Sequence, residues 1–115
     1  MPNEKLPNAA RASISADKLV YLLSPRPHSD KSGFFRRFGF TLYEPDILAA
    51  ALLQHGQTQP VVEIRTTPYG LVYETLGPLT SPDGRNPFVL VAWELLTGAS
   101  LPRLVTAVPA KVGKR

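Results

Sequence analysis

The hydrophobic residues of this chain change their spacing at Pro60, and that change constrains the fold more than any other feature. Upstream they recur every three or four positions, as in Leu19, Leu22 and Leu23 or Phe34, Phe35 and Phe38. Downstream they alternate or run together, as in Val62 and Ile64 and in residues 88–96. The first spacing lines one face of a helix; the second lines one or both faces of a strand. Helices and strands are thus segregated along the chain, which selects an α+β fold with an antiparallel sheet over a parallel α/β one. The 115 residues make one domain. With 43% of them hydrophobic, it can bury a core without staples.

Local signals divide the chain further. Ser15 can cap a helix over residues 16–23, which Pro25 and Pro27 stop. Residues 24–32 read as a loop. A short helix follows around Phe34–Phe38 and ends at Gly39, its aromatic stripe directed to the core. A third, well-buried helix is expected over residues 45–55, with Pro45 in its first turn, Asp46 at its positive dipole end and Gly56 ending it. Residues 61–67 form a strand with Val62 and Ile64 on one face and Glu63, Arg65 and Thr67 on the other. Thr67-Pro68-Tyr69-Gly70 has the signature of a tight turn, and residues 71–76 return as the second strand of a hairpin. Gly77 and Pro78 interrupt, Ser81-Pro82-Asp83-Gly84-Arg85 turns again, and residues 88–96 form a central strand covered on both faces. The last strand begins at Arg103 and is closed by Pro109. The predicted architecture is two to three N-terminal helices packed on a four-stranded antiparallel meander sheet. Residues 1–13 are predicted as a flexible arm, 14–109 as the domain and 110–115 as a basic tail.

Composition removes several chemistries. With no cysteine there are no disulfides, no thiolate nucleophile and no cysteine-based zinc site. Two histidines make a metal site improbable, and no cofactor is expected. No stretch approaches the ~20 apolar residues of a membrane span, and the N-terminus lacks a signal-peptide core, so a cytoplasmic location away from membranes is expected. The net charge of +4 is concentrated in Lys111, Lys114 and Arg115, leaving the body nearly neutral. One local basic cluster remains: Arg26, Lys31, Arg36 and Arg37 surround His28 against the single acid Asp30. It is either an anion-facing patch or a solvated face.

Candidate site residues follow from their chemistry. An exposed His28 titrates near neutrality and can act as general base or acid, and Lys31 can stabilise a developing phosphorane. His55, in the last turn of a helix, suits a structural role as a cation at the negative dipole end. Arg65 shares a polar strand face with Glu63 and Thr67, and Tyr69 sits at a hairpin tip. Asp83 can bond its own turn, leaving Arg85 to meet an acid or an anion. Trp93 is expected in the core. Arg103 and Thr106 lie three apart in the last strand, so they point to opposite faces unless a bulge intervenes.

The segments Thr67-Pro68-Tyr69-Gly70, Ser81-Pro82-Asp83-Gly84-Arg85, Trp93 and Pro102-Arg103-Leu104-Val105-Thr106-Ala107-Val108-Pro109 together resemble a bacterial domain-of-unknown-function family. The resemblance extends upstream through His28, Lys31, Phe34-Phe35 and Gly39-Phe40, and members occur alone and within toxin-like proteins. The chain's ending is similar to that of ribonuclease toxins of the barnase and RelE type. The resemblance implies metal-independent RNA cleavage, with His28 as base or acid, Lys31 and Arg65 as phosphate binders and Thr106 as a polar contact. Arg85, Arg103 and Tyr69 would bind substrate, and a neutralising protein would be the partner. Val108 stands where the family pattern has an aromatic residue. The alternative is a non-enzymatic interaction domain of a toxin-associated or adaptor type, and an edge strand of the sheet offers a route to a homodimer.

Overall fold

The computed structural model describes residues 5–24 and 31–110. Its elements are helices α1 (Ala16–Leu23), α2 (Lys31–Arg37) and α3 (Pro45–Thr58), followed by strands β1 (Val61–Thr67), β2 (Gly70–Pro78), β3 (Phe88–Leu96) and β4 (Arg103–Pro109). The strands form one antiparallel meander in the order β1-β2-β3-β4, so the α+β architecture expected from the change of period is the one observed. The Ser15 side chain accepts the Lys18 N–H at the start of α1, as its capping position requires.

One apolar cluster holds the helices to the sheet. Leu19, Leu22 and Leu23 of α1, Phe35 of α2 and Leu48 and Leu52 of α3 meet Tyr73, Val89, Val91, Trp93, Leu104 and Ala107 of the sheet. The sheet residues all belong to one face, because Tyr73 pairs with Trp93 and Trp93 with Leu104, and Val91 pairs with Ala107. The three helices therefore cover the same face. β3 was expected to be covered on both faces; it is interior to the sheet, but helices pack on one side only. Its other face carries Leu90, Ala92 and Glu94, and the apolar run conceals that division because two of the three are hydrophobic.

Three boundaries differ from the sequence expectation. Helix α3 does not end at Gly56 but continues to Thr58. Gly56 is needed for close packing: a Cβ there would lie 2.8 Å from Trp93 Cζ2 and 3.3 Å from Leu6 Cδ2. Gly77 and Pro78 do not interrupt β2; they pair with Val89 and Phe88. Helix α2 ends at Arg37 and begins already at Lys31. Of the segment expected as a loose arm, residues 5–13 lie against the domain. Leu6 is 3% exposed within the core cluster, a 3₁₀ turn spans Ala9–Arg11, and Ser13 bridges to Arg103 at the edge of β4. Leu6 anchors this stretch, with only the small side chains of Ala9 and Ala12 packed beside it, too little to register as periodicity.

His55 is structural, but not as a cation at a helix end. It is 1% exposed and joins α3 to the sheet. Its Nε2 lies 3.0 Å from the Gly77 carbonyl, which can only accept, so Nε2–H donates. Nδ1 then accepts from the Thr75 hydroxyl at 3.0 Å, and that hydroxyl in turn accepts the Trp93 Nε1–H at 3.3 Å. Burial pushes the His55 pKa below its ordinary 6.5, against the opposing pull of hydrogen bonds to the Gly77 and Val89 backbone. The unfolded chain thus binds a proton more readily than the folded one. The contribution to stability is complete above the unfolded-state value and is lost as pH falls through the folded-state value. Urea midpoints should be lower at about pH 5 than at about pH 8, and His55→Gln should flatten that dependence while lowering stability at the higher pH.

Candidate functional site

The face of the sheet away from the helices mixes charged and apolar side chains, and no described helix packs on it. Register arranges it in rows. Arg65 pairs with Val72, Val72 with Glu94, and Glu94 with Arg103, making one row across all four strands. The adjacent row is Glu63, Glu74, Ala92 and Thr106. A third carries the half-buried apolar residues Leu76, Leu90 and Val108.

A β-bulge makes this face possible. The β3–β4 register shifts between Ala92, which faces Thr106, and Trp93, which faces Leu104. Val105 is the extra residue. A regular strand would send Arg103 and Thr106 to opposite faces; the bulge restores both to the open one. Three of the sequence-selected residues, Arg65, Arg103 and Thr106, thus share one face, and Tyr69, 74% exposed, stands on the hairpin turn at the same end of the sheet.

Each arginine of the face is matched by a carboxylate. Arg65 Nη2 donates to Glu74 Oε2 at 3.0 Å, and Arg103 Nε donates to Glu94 Oε2 at 2.6 Å. The arginine side chains are about half exposed and the glutamates less so, 17% for Glu74 and 26% for Glu94. Each of these contacts uses one nitrogen of the guanidinium, which has five N–H groups and so keeps further donors. At the β4 side Glu94 and Arg103 also line a cleft of about 400 Å³ shared with Ser13, Ser15 and Lys18 from the start of α1. The face thus carries two arginines among three glutamates, and any anion held there would depend on the guanidinium donors that the glutamates leave over.

The remaining candidates lie elsewhere. Arg85 belongs to the 79–87 connection and is not free to seek an anion, as the turn chemistry suggested. Its Nε donates to Asp83 Oδ2 at 2.7 Å, its Nη2 donates to the Arg37 carbonyl at 2.7 Å, and the guanidinium lies 4.5 Å from the Phe38 ring centroid. Hydrogen bonds, first from the Arg85 backbone N–H and then from Ser81 and the Arg85 side chain, hold the Asp83 carboxyl below the usual carboxylate range. Lys31 opens α2. His28 falls outside the described residues, as do Arg26 and the C-terminal basic residues. The sequence reading did not select Glu74 and Glu94. The signal was present as period two, which sets Glu74 opposite in face to Tyr73 and Glu94 to Trp93, but their nearness to Arg65 and Arg103 depends on register. Among the described residues no cluster of three or more histidines and carboxylates could hold a metal ion, and no helix is long and apolar enough to cross a membrane.

Helices confined to one face of a four-stranded antiparallel meander, with an arginine- and glutamate-bearing face left open, define the class: a small α+β domain. Residues 5–111 match the family model described as Domain of unknown function (DUF6883), and the chain belongs to that family. No curated protein matches it. Among solved structures, a chain of the contact-dependent growth inhibition toxin–immunity protein complex from Klebsiella pneumoniae 342 is similar, with a TM-score of 0.66 and 19% identity. The match covers 84% of this chain and 98% of that one. At that identity the likeness is one of fold.

Proposed function

We propose that this chain is a small toxin-type endoribonuclease domain that is neutralised by a protein partner. The observation that carries the reading is the open sheet face, where the β4 bulge sets Arg103 and Thr106 on the same face as Arg65, Glu74 and Glu94. The fold it shares with a chain from a toxin–immunity complex supports the biological setting.

In this reading the RNA backbone lies across the face with a phosphate between the arginines. A base takes the proton of the 2′-hydroxyl, and the 2′-oxygen forms a bond to phosphorus. The bond from phosphorus to the 5′-oxygen breaks, and an acid protonates that leaving oxygen. The products are a 2′,3′-cyclic phosphate and a 5′-hydroxyl. Arg65 and Arg103 offset the charge that builds on the phosphorane, and Thr106 makes a polar contact. Glu74, the less exposed of the two paired carboxylates, takes the 2′-hydroxyl proton, and His28 protonates the leaving 5′-oxygen, with Lys31 as a further phosphate contact. Tyr69 stacks on a base, and Arg85, already engaged, is an outlying contact. No step needs a metal ion.

The test is incubation of purified protein with structured and unstructured RNA in EDTA, with the ends of any products identified. Cleavage leaving 2′,3′-cyclic phosphates supports the reading; intact RNA across the substrate set rejects it. A second reading, an interaction domain without catalysis, is favoured by the pairing of both face arginines with glutamates and by the half-buried row of Leu76, Leu90 and Val108. It predicts a protein bound to this face while RNA stays intact.

A further inference from the structure

The open edge of β1 points to a second copy of this chain as its partner. β1 is the outer strand of the sheet and is exposed along nearly its whole length. Val62 and Ile64 are 50% and 41% exposed there. Leu76 N–H donates to the Pro60 carbonyl, so the even-numbered residues of β2 turn their backbone groups toward β1. Their partners Glu63, Arg65 and Thr67 turn theirs toward β2. Ile64 and Thr66 therefore aim their N–H and C=O groups at the open edge, where an added strand would bond Ile64 directly, while the bulge between Val61 and Glu63 interrupts the regular edge on its other side.

We propose that β1 pairs antiparallel with β1 of another copy about a two-fold axis at Ile64, joining two four-stranded sheets into one of eight. In this register Ile64 and its copy exchange backbone hydrogen bonds and meet side chain to side chain. Glu63 of each chain then faces Arg65 of the other as a non-hydrogen-bonded pair, the arrangement that brings side chains closest. The symmetric registers on either side put Glu63 opposite its own copy, or Arg65 opposite its own, and like charges directly opposite are destabilising. Within one chain Glu63 also stands opposite Glu74, and it is Glu74 that Arg65 pairs with. A second Arg65 arriving across the axis supplies the missing positive charge. The sequence of β1 is thus complementary to itself in one register, as a two-fold interface requires.

Sedimentation equilibrium of the full chain across micromolar to millimolar concentrations tests this, with thermal melts of each variant to confirm folding. The wild type should reach a dimer. Glu63→Arg and Arg65→Glu should each weaken association at least about tenfold, since the two-fold axis turns two opposite-charge pairs into two like-charge pairs at once. The exchanged variant carrying both changes should regain it, since its arginine then sits opposite Glu74 within the chain and opposite a glutamate across the axis. If Arg65→Glu fails to fold, Glu63→Arg still decides, because it removes no contact within the chain. A monomer at every concentration, a dimer indifferent to Glu63→Arg, or a folded exchanged variant that stays monomeric would each overturn the proposal.

Discussion

Trp93→Ala should cost about 3–5 kcal/mol of folding stability, enough to leave a domain of this size close to its unfolding threshold. Trp93 is completely buried in the interior strand β3, pairing with Tyr73 on one side and Leu104 on the other. Its ring is the surface against which α3 closes, at the one place where that helix carries a glycine. Alanine would leave a cavity between α3, the anchored Leu6 and the sheet, and it would remove the donor that the Thr75 hydroxyl accepts. Trp93→Phe keeps most of the volume and loses only that donor, so about 1–2 kcal/mol is expected. Gly56→Ala tests the same contact from the other side. A helix interior ordinarily gains up to ~1 kcal/mol from this change, yet here the new methyl meets a rigid buried indole, so the net effect should be destabilising. Urea unfolding of the three variants measures all of this. A loss under about 1 kcal/mol for Trp93→Ala would contradict the packing described, since cavities of this origin cost several times more.

The parts of this fold written in short-range spacing are legible in the sequence. Ser15 caps where it should, the Thr67–Gly70 turn closes the expected hairpin, and four strands follow three helices. What escaped depends on contacts far apart in the chain. Gly56 has the residue type of a helix end, and only the position of Trp93 explains why it lies inside the helix. Leu6 is one apolar residue in a polar stretch, and its burial follows from the space between α3 and β3. The candidate site divides in the same way. Arg65 and its strand face could be read from period two. The union of Arg103 with Thr106 required the Val105 bulge, which nothing in the strand's composition announces. Glu74 and Glu94 needed the β1–β2 and β3–β4 registers before their arginine partners could be named.

Arg103→Ala should lower the kcat/KM of RNA cleavage by about 10²–10³-fold, the usual effect of removing one donor to a charge that develops in the transition state. Arg103 is the arginine of the face that the β1 edge does not involve, and its guanidinium stands where the face meets the cleft beside α1. Lysine is a poor replacement because it offers a point charge in place of a planar fork, so Arg103→Lys should recover only part of the loss. Glu74→Gln removes the carboxylate that would accept the 2′-hydroxyl proton, and a loss of about 10²–10⁴-fold is expected. Arg85→Ala should lose far less, since its guanidinium is engaged with Asp83 and the Arg37 carbonyl. Binding of uncleaved RNA should weaken with salt, and Arg103→Ala should reduce that salt slope by about one. Cleavage that survives both Arg103→Ala and Glu74→Gln would place the chemistry off the sheet face or in a contaminant, whatever the oligomeric state. Loss in both, with melting curves near that of the wild type, would locate it where the bulge brings these side chains together.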